Sequence, residues 1–176
     1  KYMENQANIE KDLKAAQSAY EELSESERES WSCYETGTVY KMVYASQKIL
    51  SIEMETFQKQ GADYSNEWTS AYCFDVTTGK LLALTDIFTD KAEAKKIVEE
   101  RISDTITKEP YKDYLMEDYE NYIPDILTDV VFYLNEKGVV VICNPYMVTM
   151  KEGEIIEIEV PYKELSEVMN PVYAEP

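Results

Sequence analysis

Three successive segments of this chain alternate large apolar residues with small or polar ones, and this pattern limits the fold more than any other feature. The segments lie at residues 38–45, 50–57 and 68–76, and short polar stretches join them. Side chains of a β-strand point alternately to the two faces of a sheet, so a period of two predicts a strand. Three adjacent strands with short connections predict an antiparallel meander.

The alternation also assigns side chains to faces. The residues that share one face by this alternation are Tyr40, Met42 and Tyr44, then Leu50, Ile52 and Met54, then Trp68, Tyr72, Phe74 and Val76. In the second segment Ser51, Glu53 and Glu55 then face the other way. We interpret Glu53 and Glu55 as the solvent side of a half-buried strand.

Helical periodicity flanks this meander on both sides. Residues 4–30 predict a helix whose apolar face comprises Ile9, Leu13, Ala16, Tyr20 and Leu23. After the turn Thr77-Thr78-Gly79-Lys80, in which we expect Gly79 at positive φ, a second helix begins at Thr89-Asp90 and ends at Pro110. Its face comprises Ala94, Ile97, Val98, Arg101 and Ile102.

The second half of the chain predicts further helices and a hairpin. The tract Tyr111–Asp129 predicts short helices broken near Pro124. A hairpin follows, with its turn at Asn135–Gly138. Its second arm, Val139–Cys143, is apolar on both faces and therefore predicts a central, covered strand.

The last segments complete an α+β pattern. Residues 153–162 alternate and predict a strand with one wet face, and Lys163–Met169 predicts a short closing helix. The order helix, three strands, helices, three strands, helix predicts an α+β fold, with helices packed on an antiparallel or mixed β-sheet. We divide the chain into a first module at residues 1–80 and a second at residues 81–176, and we expect the two to share one core.

Charge and composition argue against several functions. The net charge of −18 comes from 35 acidic and 17 basic residues, so the chain lacks the Lys and Arg clusters that bind nucleic-acid phosphates. It has no His, the usual metal ligand and general base. We therefore expect no metal, no cofactor and no enzymatic activity. The chain begins at Lys1 rather than Met, which leaves room for a preceding signal or anchor segment.

Three features have the composition of a functional site, and each also has a simpler interpretation. Cys33, Cys73 and Cys143 allow one disulfide with a free thiol, or three packed thiols, and we favour packing. The pairs Glu53/Glu55 and Glu157/Glu159 have a spacing compatible with a glycosidase or metal site, but an acidic chain places such pairs on wet strand faces. Four tyrosines beside acidic residues offer stacking for a sugar ring, although tyrosines also pack with the hydroxyl in water. They are Tyr111, Tyr114, Tyr119 and Tyr122.

The order of several segments resembles a family of bacterial extracytoplasmic proteins. The matching pieces are "ILSIEMETF", "GADYSN", "FDVTTGKLLALTDIF", "FYLNEKGVVVICNPY" and "IEIEVPYKEL". Together they are similar to the paired domains of unknown function numbered 4163 and 3298, found in anti-sigma factors and cell-wall deacetylases. In that family the Phe-Asp-x-x-Thr-Gly-Lys hairpin leads the chain from the first module to the second.

The resemblance implies a non-catalytic, extracytoplasmic binding or sensory domain, secreted or anchored in the cell envelope by a segment outside this sequence. One branch resembles lysozyme-sensing anti-sigma factors, whose outer domain binds lysozyme directly, and another precedes a peptidoglycan deacetylase. The expected partner is thus a basic protein such as lysozyme, which an acidic surface attracts. The alternative is an accessory module that binds cell-wall glycan through its tyrosines.

We expect the partner-binding residues in two loops where the chain departs from the family pattern. The family usually has Gly-Gly-Ala-His-Gly-Asn after the second strand, and this chain has Gly61-Ala62-Asp63-Tyr64-Ser65-Asn66. The loop after Asn144-Pro145-Tyr146 is shorter than usual. We predict one binding face formed by Gly61, Asp63, Tyr64, Asn66, Pro145 and Tyr146, with the tyrosines as rigid anchors. In the alternative, Tyr146 packs under the sheet.

Overall fold

The computed structural model of the protein describes residues 2–60, 64–150 and 155–174. In chain order the elements are α1 (Tyr2–Glu21), α2 (Glu25–Glu29), β1 (Glu35–Ala45), β2 (Ile49–Gln60), β3 (Tyr64–Asp75), α3 (Lys91–Ile106), α4 (Tyr119–Ile126), β4 (Val131–Leu134), β5 (Gly138–Cys143), β6 (Ile156–Pro161) and α5 (Tyr162–Leu165). The strands form two three-stranded antiparallel sheets, ordered β1-β2-β3 and β4-β5-β6. The predicted α+β class is confirmed. None of the helices in these ranges is long and apolar enough to cross a membrane.

The chain forms two compact units. The first comprises Lys1–Val39 and Glu55–Glu67, and the second comprises Tyr40–Met54 and Trp68–Pro176. The second unit holds most of the buried apolar residues and the complete β4-β5-β6 sheet. The division of the chain near residue 80 stays a prediction.

Strand β5 is the centre of the second sheet, as its two apolar faces predict. Val141 pairs with Phe132 of β4 on one side and with Ile158 of β6 on the other. All six residues of β5 are buried, whereas β6 alternates between buried and exposed positions until its last residue. A strand covered on both faces carries apolar residues throughout, and a strand with one wet face alternates. Both strand predictions are confirmed.

Helix α3 contributes one continuous apolar stripe to the core of the second unit. Its N-cap is Asp90, whose carboxylate accepts hydrogen bonds from the N–H groups of Ala92 and Glu93 at 3.1 and 3.0 Å. Residues spaced four apart lie on one face of a helix. The fully buried ones are Ala94, Val98, Ile102 and Ile106. The predicted start and face of this helix are confirmed, with Ile97 and Arg101 half-buried at the margin of the stripe.

The turn that leads into this helix also agrees with the sequence. Gly79 has φ +71°, a conformation that glycine adopts without steric cost. Asp75 stabilises the turn by accepting a hydrogen bond from the N–H of Thr78 at 2.9 Å. Pro124, in contrast, does not break the helix as predicted but lies inside α4. Its neighbours Ile123 and Ile126 are buried, and this tertiary packing offsets the hydrogen bond that proline removes.

In the first unit, the prediction of one helix over residues 4–30 is wrong. Helix α1 ends at Glu21 and α2 begins at Glu25. The break lies at Ser24, whose N–H donates to the Glu27 carboxylate at 2.9 Å and so starts a new helix. Asp12 of α1 accepts hydrogen bonds from Thr36 of β1 at 3.2 Å and Gln58 of β2 at 2.7 Å. A polar contact therefore joins α1 to the strands in this unit.

The solvent face predicted for β2 is also wrong. Ser51 is 0% exposed and Glu53 is 3% exposed, whereas Glu55 is exposed as predicted. The Ser51 hydroxyl accepts a hydrogen bond from the N–H of Leu134 at 3.2 Å and donates to the Cys73 thiol at 3.7 Å. The backbone of Leu134 in β4 therefore lies against Ser51 on this face of β2. Ser51 can be buried here because its hydroxyl is hydrogen-bonded.

Candidate functional site

The Asn144-Pro145-Tyr146 corner begins where β5 ends and is fixed to Thr69, in the part of β3 that belongs to the second unit. The Asn144 amide oxygen accepts a hydrogen bond from the Thr69 N–H at 2.7 Å, and the Asn144 amide nitrogen donates to the Thr69 carbonyl at 2.8 Å. Thr69 is almost fully buried. One side chain thus satisfies both backbone groups of a buried edge residue, as a neighbouring strand would.

Removing this amide should destabilise the second unit measurably. We expect Asn144→Ala to lower the free energy of unfolding by about 2–3 kcal/mol, because two hydrogen bonds are lost and two buried backbone groups are left unpaired. Urea unfolding followed by circular dichroism measures the difference. Asn121→Ala on α4, where the asparagine is exposed, is the control and should change stability little. Equal losses in the two variants would contradict the bracing role of Asn144.

Tyr146 projects from this corner in an unusual backbone conformation. Its φ is +69°, the left-handed region that bulky residues rarely adopt, and its side chain is 52% exposed. The Tyr146 N–H donates to the Thr149 carbonyl at 3.2 Å, and the Met147 N–H donates to the Asn144 carbonyl at 3.1 Å. The alternative in which Tyr146 packs under the sheet is therefore wrong. The ring is half exposed on a tightly bonded turn.

The other predicted partner-binding residues lie elsewhere or outside the described ranges. Gly61 and Asp63 belong to the segment that the structure does not describe, between the end of β2 and the start of β3. Tyr64 is the first residue of β3, and Asn66 is half-buried in the same strand, within the first unit. Only Pro145 and Tyr146 are described together, as neighbours in one turn. A single face that includes both loops stays a prediction.

Tyr133, which the sequence did not mark, and Glu53, which was expected in solvent, are both buried and lie near one another in the second unit. The Tyr133 hydroxyl donates to the Glu157 carboxylate at 3.0 Å, and Glu53 lies 3.5 Å from the Lys41 ammonium. Burial of Tyr133, together with the nearby charges of Glu157 and Glu53, raises the pKa of its phenol well above the ordinary value. Tyr133 is therefore a hydrogen-bond donor at neutral pH. Among the described residues, no three acidic or cysteine side chains converge to hold a metal ion.

The tyrosines of the acidic tract separate into two pairs. Tyr111 and Tyr119 pack against the core, whereas Tyr114 and Tyr122 are exposed. Packing, the interpretation favoured from the sequence, thus holds for the first pair. Glu157 and Glu159 of β6 are exposed as predicted, and Glu159 accepts a hydrogen bond from the Asn135 amide at 3.2 Å.

Over its described residues the chain is thus an α+β protein with two three-stranded antiparallel sheets and an aromatic surface corner that Asn144 braces. Solved structures with this fold include a DUF3298 family protein from Pseudomonas aeruginosa, with a TM-score of 0.58 and 15% identity over 81% of this chain. A DUF3298 family member from Bacteroides fragilis has a TM-score of 0.66 and 16% identity over 97% of this chain. The chain spans 65% and 69% of the lengths of these two structures.

At 15% and 16% identity, this likeness shows that the chain shares the fold of the two structures. No family model matches the sequence, and no curated protein matches it. The resemblance to the 3298 domain is therefore supported at the level of the fold. The 4163 domain and the tandem arrangement stay predictions.

Proposed function

We propose that this chain is a non-catalytic binding or sensory domain of a bacterial cell-envelope protein, displayed outside the cytoplasm. In this proposal the corner at Asn144-Pro145-Tyr146 holds a protein partner. The observation that supports it is the exposure of Tyr146 on a turn that Asn144 fixes to β3. Rigid, exposed aromatic side chains dominate the binding energy of protein interfaces, because little conformational entropy is lost when they are covered.

Charge indicates the kind of partner. The net charge of −18 attracts basic proteins and speeds their association at low salt. It disfavours anionic polymers, whose phosphates need Lys and Arg. Lysozyme, a basic protein, is the first partner to test, and fragments of cell-wall glycan are the second.

The variant Tyr146→Asn tests the corner without adding backbone strain. Asparagine accepts the left-handed conformation more readily than tyrosine, so we expect the fold to be retained and the melting temperature to stay level or rise. If Tyr146 is an anchor, binding to lysozyme should weaken by about 2 kcal/mol, roughly thirtyfold, in calorimetric titration.

The matched control is Tyr122→Ala, which removes a tyrosine of similar exposure from α4. It should leave binding unchanged. Unchanged affinity in Tyr146→Asn would remove the corner from the interface. Failure of the wild-type protein to bind lysozyme, combined with binding to glycan fragments, would replace the protein partner by the second candidate.

The native thiols test the location of the domain. Cys33 is exposed, whereas Cys73 and Cys143 are buried, and burial raises the pKa of the Cys143 thiol to about 12 and raises that of Cys73 as well. Thiolates are the reactive form, so only Cys33 should react in the folded protein. We expect a membrane-impermeant maleimide to label Cys33 in intact cells that produce the full-length protein.

The variant Cys33→Ser should lose the label on this domain, and the denatured domain should take up label at Cys33, Cys73 and Cys143. Labelling that requires cell lysis would contradict an extracytoplasmic location.

A further inference from the structure

An open cavity of about 460 Å³ lies in the second unit beside strand β3, and Tyr146 is not among the residues that line it. This volume is within the range of small-ligand sites. Its walls come from β3, from the segment after the Gly79 turn and from the segment that enters β4. The residues that line it include apolar Leu82, Leu84 and Phe132, polar Thr128 and Asp129, and Ala71 of β3.

The edge of β3 beside the cavity presents one residue whose backbone is free to pair. Alternate residues of an antiparallel strand direct both their N–H and C=O groups to the same edge. At this edge the backbone of Thr69 bonds to the Asn144 side chain, and the Cys73 carbonyl accepts from the Leu82 N–H at 2.8 Å. Ala71, between them, therefore directs its N–H and C=O toward the cavity that it lines.

The backbone of Ala71 is left without a partner strand because the chain turns away from β3 after Leu82. The bonds from Asp75 N–H to the Lys80 carbonyl at 2.9 Å and from Leu82 N–H to Cys73 begin an antiparallel ladder. One step further, Leu84 would pair with Ala71, but Leu84 belongs to a 3₁₀ turn instead. Among the described residues outside the strands, none forms a backbone hydrogen bond with the N–H or C=O of Ala71.

We propose that this cavity binds a short peptide by pairing one of its residues with Ala71. The N–H and C=O groups of a single extended residue face the same side, so they complement those of Ala71 as an added strand does. A small apolar side chain packs against Leu82 and Leu84, and Asp129 attracts the free amino terminus of the peptide.

The flanking contacts limit the length of the ligand. Asn144 occupies the edge on one side of Ala71, and Leu82 occupies it on the other. A long β-strand pairs with every second residue of an edge and would need both positions. The geometry therefore favours peptides of about two or three residues over an extended segment of another protein. An isolated acetamide group fits less well, because its N–H and C=O point in opposite directions.

The test is a titration of ¹⁵N-labelled protein with trialanine, followed through the amide resonances of Ala71 and Leu82. We expect saturable shifts at both amides at millimolar peptide. N-acetyl-trialanine, which lacks the ammonium group, should bind about tenfold more weakly to the wild type. In Asp129→Asn the free and acetylated peptides should bind equally, because the carboxylate that distinguishes them is gone.

Two tryptophan variants of exposed alanines provide the steric test. Ala83 lines the cavity, so the indole ring of Ala83→Trp should occupy it and abolish the shifts at Ala71. Ala92→Trp, on the exposed first turn of α3, should leave the shifts unchanged. Absence of a saturable shift in the wild type, or normal binding in Ala83→Trp, would overturn the proposal. Shifts of equal size with N-acetylglucosamine would show that an amide alone suffices and would overturn the peptide assignment. Either result leaves the lysozyme test of Tyr146 unaffected.

Discussion

Val141→Asp should abolish folding of the second unit. Val141 is fully buried in the central strand, between Phe132 of β4 and Ile158 of β6. A carboxylate at this position has no cation to pair with in the strands beside it, and burying an unpaired charge costs several kcal/mol. Because domains have a total stability of about 5–15 kcal/mol, the loss should leave the protein largely unfolded at 25 °C. Far-UV circular dichroism and a thermal scan measure it.

The matched control is Val172→Asp, the same change at a valine that is 53% exposed. We expect this variant to lie within about 0.5 kcal/mol of the wild type, because the new carboxylate stays in water. A melting temperature of Val141→Asp close to that of the control would mean that β5 is not the centre of the sheet.

The second sheet was predictable because the hydrophobic positions of its strands are also their buried positions. Val139–Cys143 has no polar residue on either face, and only a strand covered on both sides tolerates such a run. The alternation of Ile156, Ile158 and Val160 with Glu157 and Glu159 is as clear. In both strands hydrophobicity and burial agree, so the sequence pattern carries the topology.

The first sheet was not predictable in the same way, because its buried face includes polar residues. Ser51 and Glu53 are covered, while the apolar residues at even positions of β2 are only half-buried. Ser51 can be buried because Leu134 and Cys73 satisfy its hydroxyl. A single sequence shows the alternation of such a strand but not which side another element covers.

The geometry of the candidate site depends on contacts that are distant in the chain. The Asn144 side chain bonds to Thr69, 75 residues earlier, and no local pattern indicates this pairing. The family resemblance pointed to the Asn144-Pro145-Tyr146 corner, but the left-handed φ of Tyr146 is visible only in the structure. The sequence therefore indicates where the corner lies, but not that the Asn144 side chain fixes it to Thr69.

The second large effect is expected from one added methyl group at Gly138, the first residue of β5. Gly138 pairs with Pro161 of β6. An added Cβ would overlap the Val160 carbonyl oxygen and would lie 2.8 Å from the Val160 carbonyl carbon and 2.9 Å from Pro161 Cα. All three are backbone atoms, so no side chain can rotate away. Gly138→Ala must instead displace β6 from β5, and we expect it to cost about 3 kcal/mol, at the upper end for overpacking.

Gly79→Ala separates this steric effect from the general preference of a position for glycine. Gly79 has a positive φ, but an added Cβ there meets no atom within 4 Å. Its cost should be only the strain of the left-handed conformation, about 1 kcal/mol. Urea unfolding of both variants gives the comparison. A loss of stability in Gly138→Ala no greater than in Gly79→Ala would show that β6 is not held against β5 at this point, and the pairing of Gly138 with Pro161 would then be wrong.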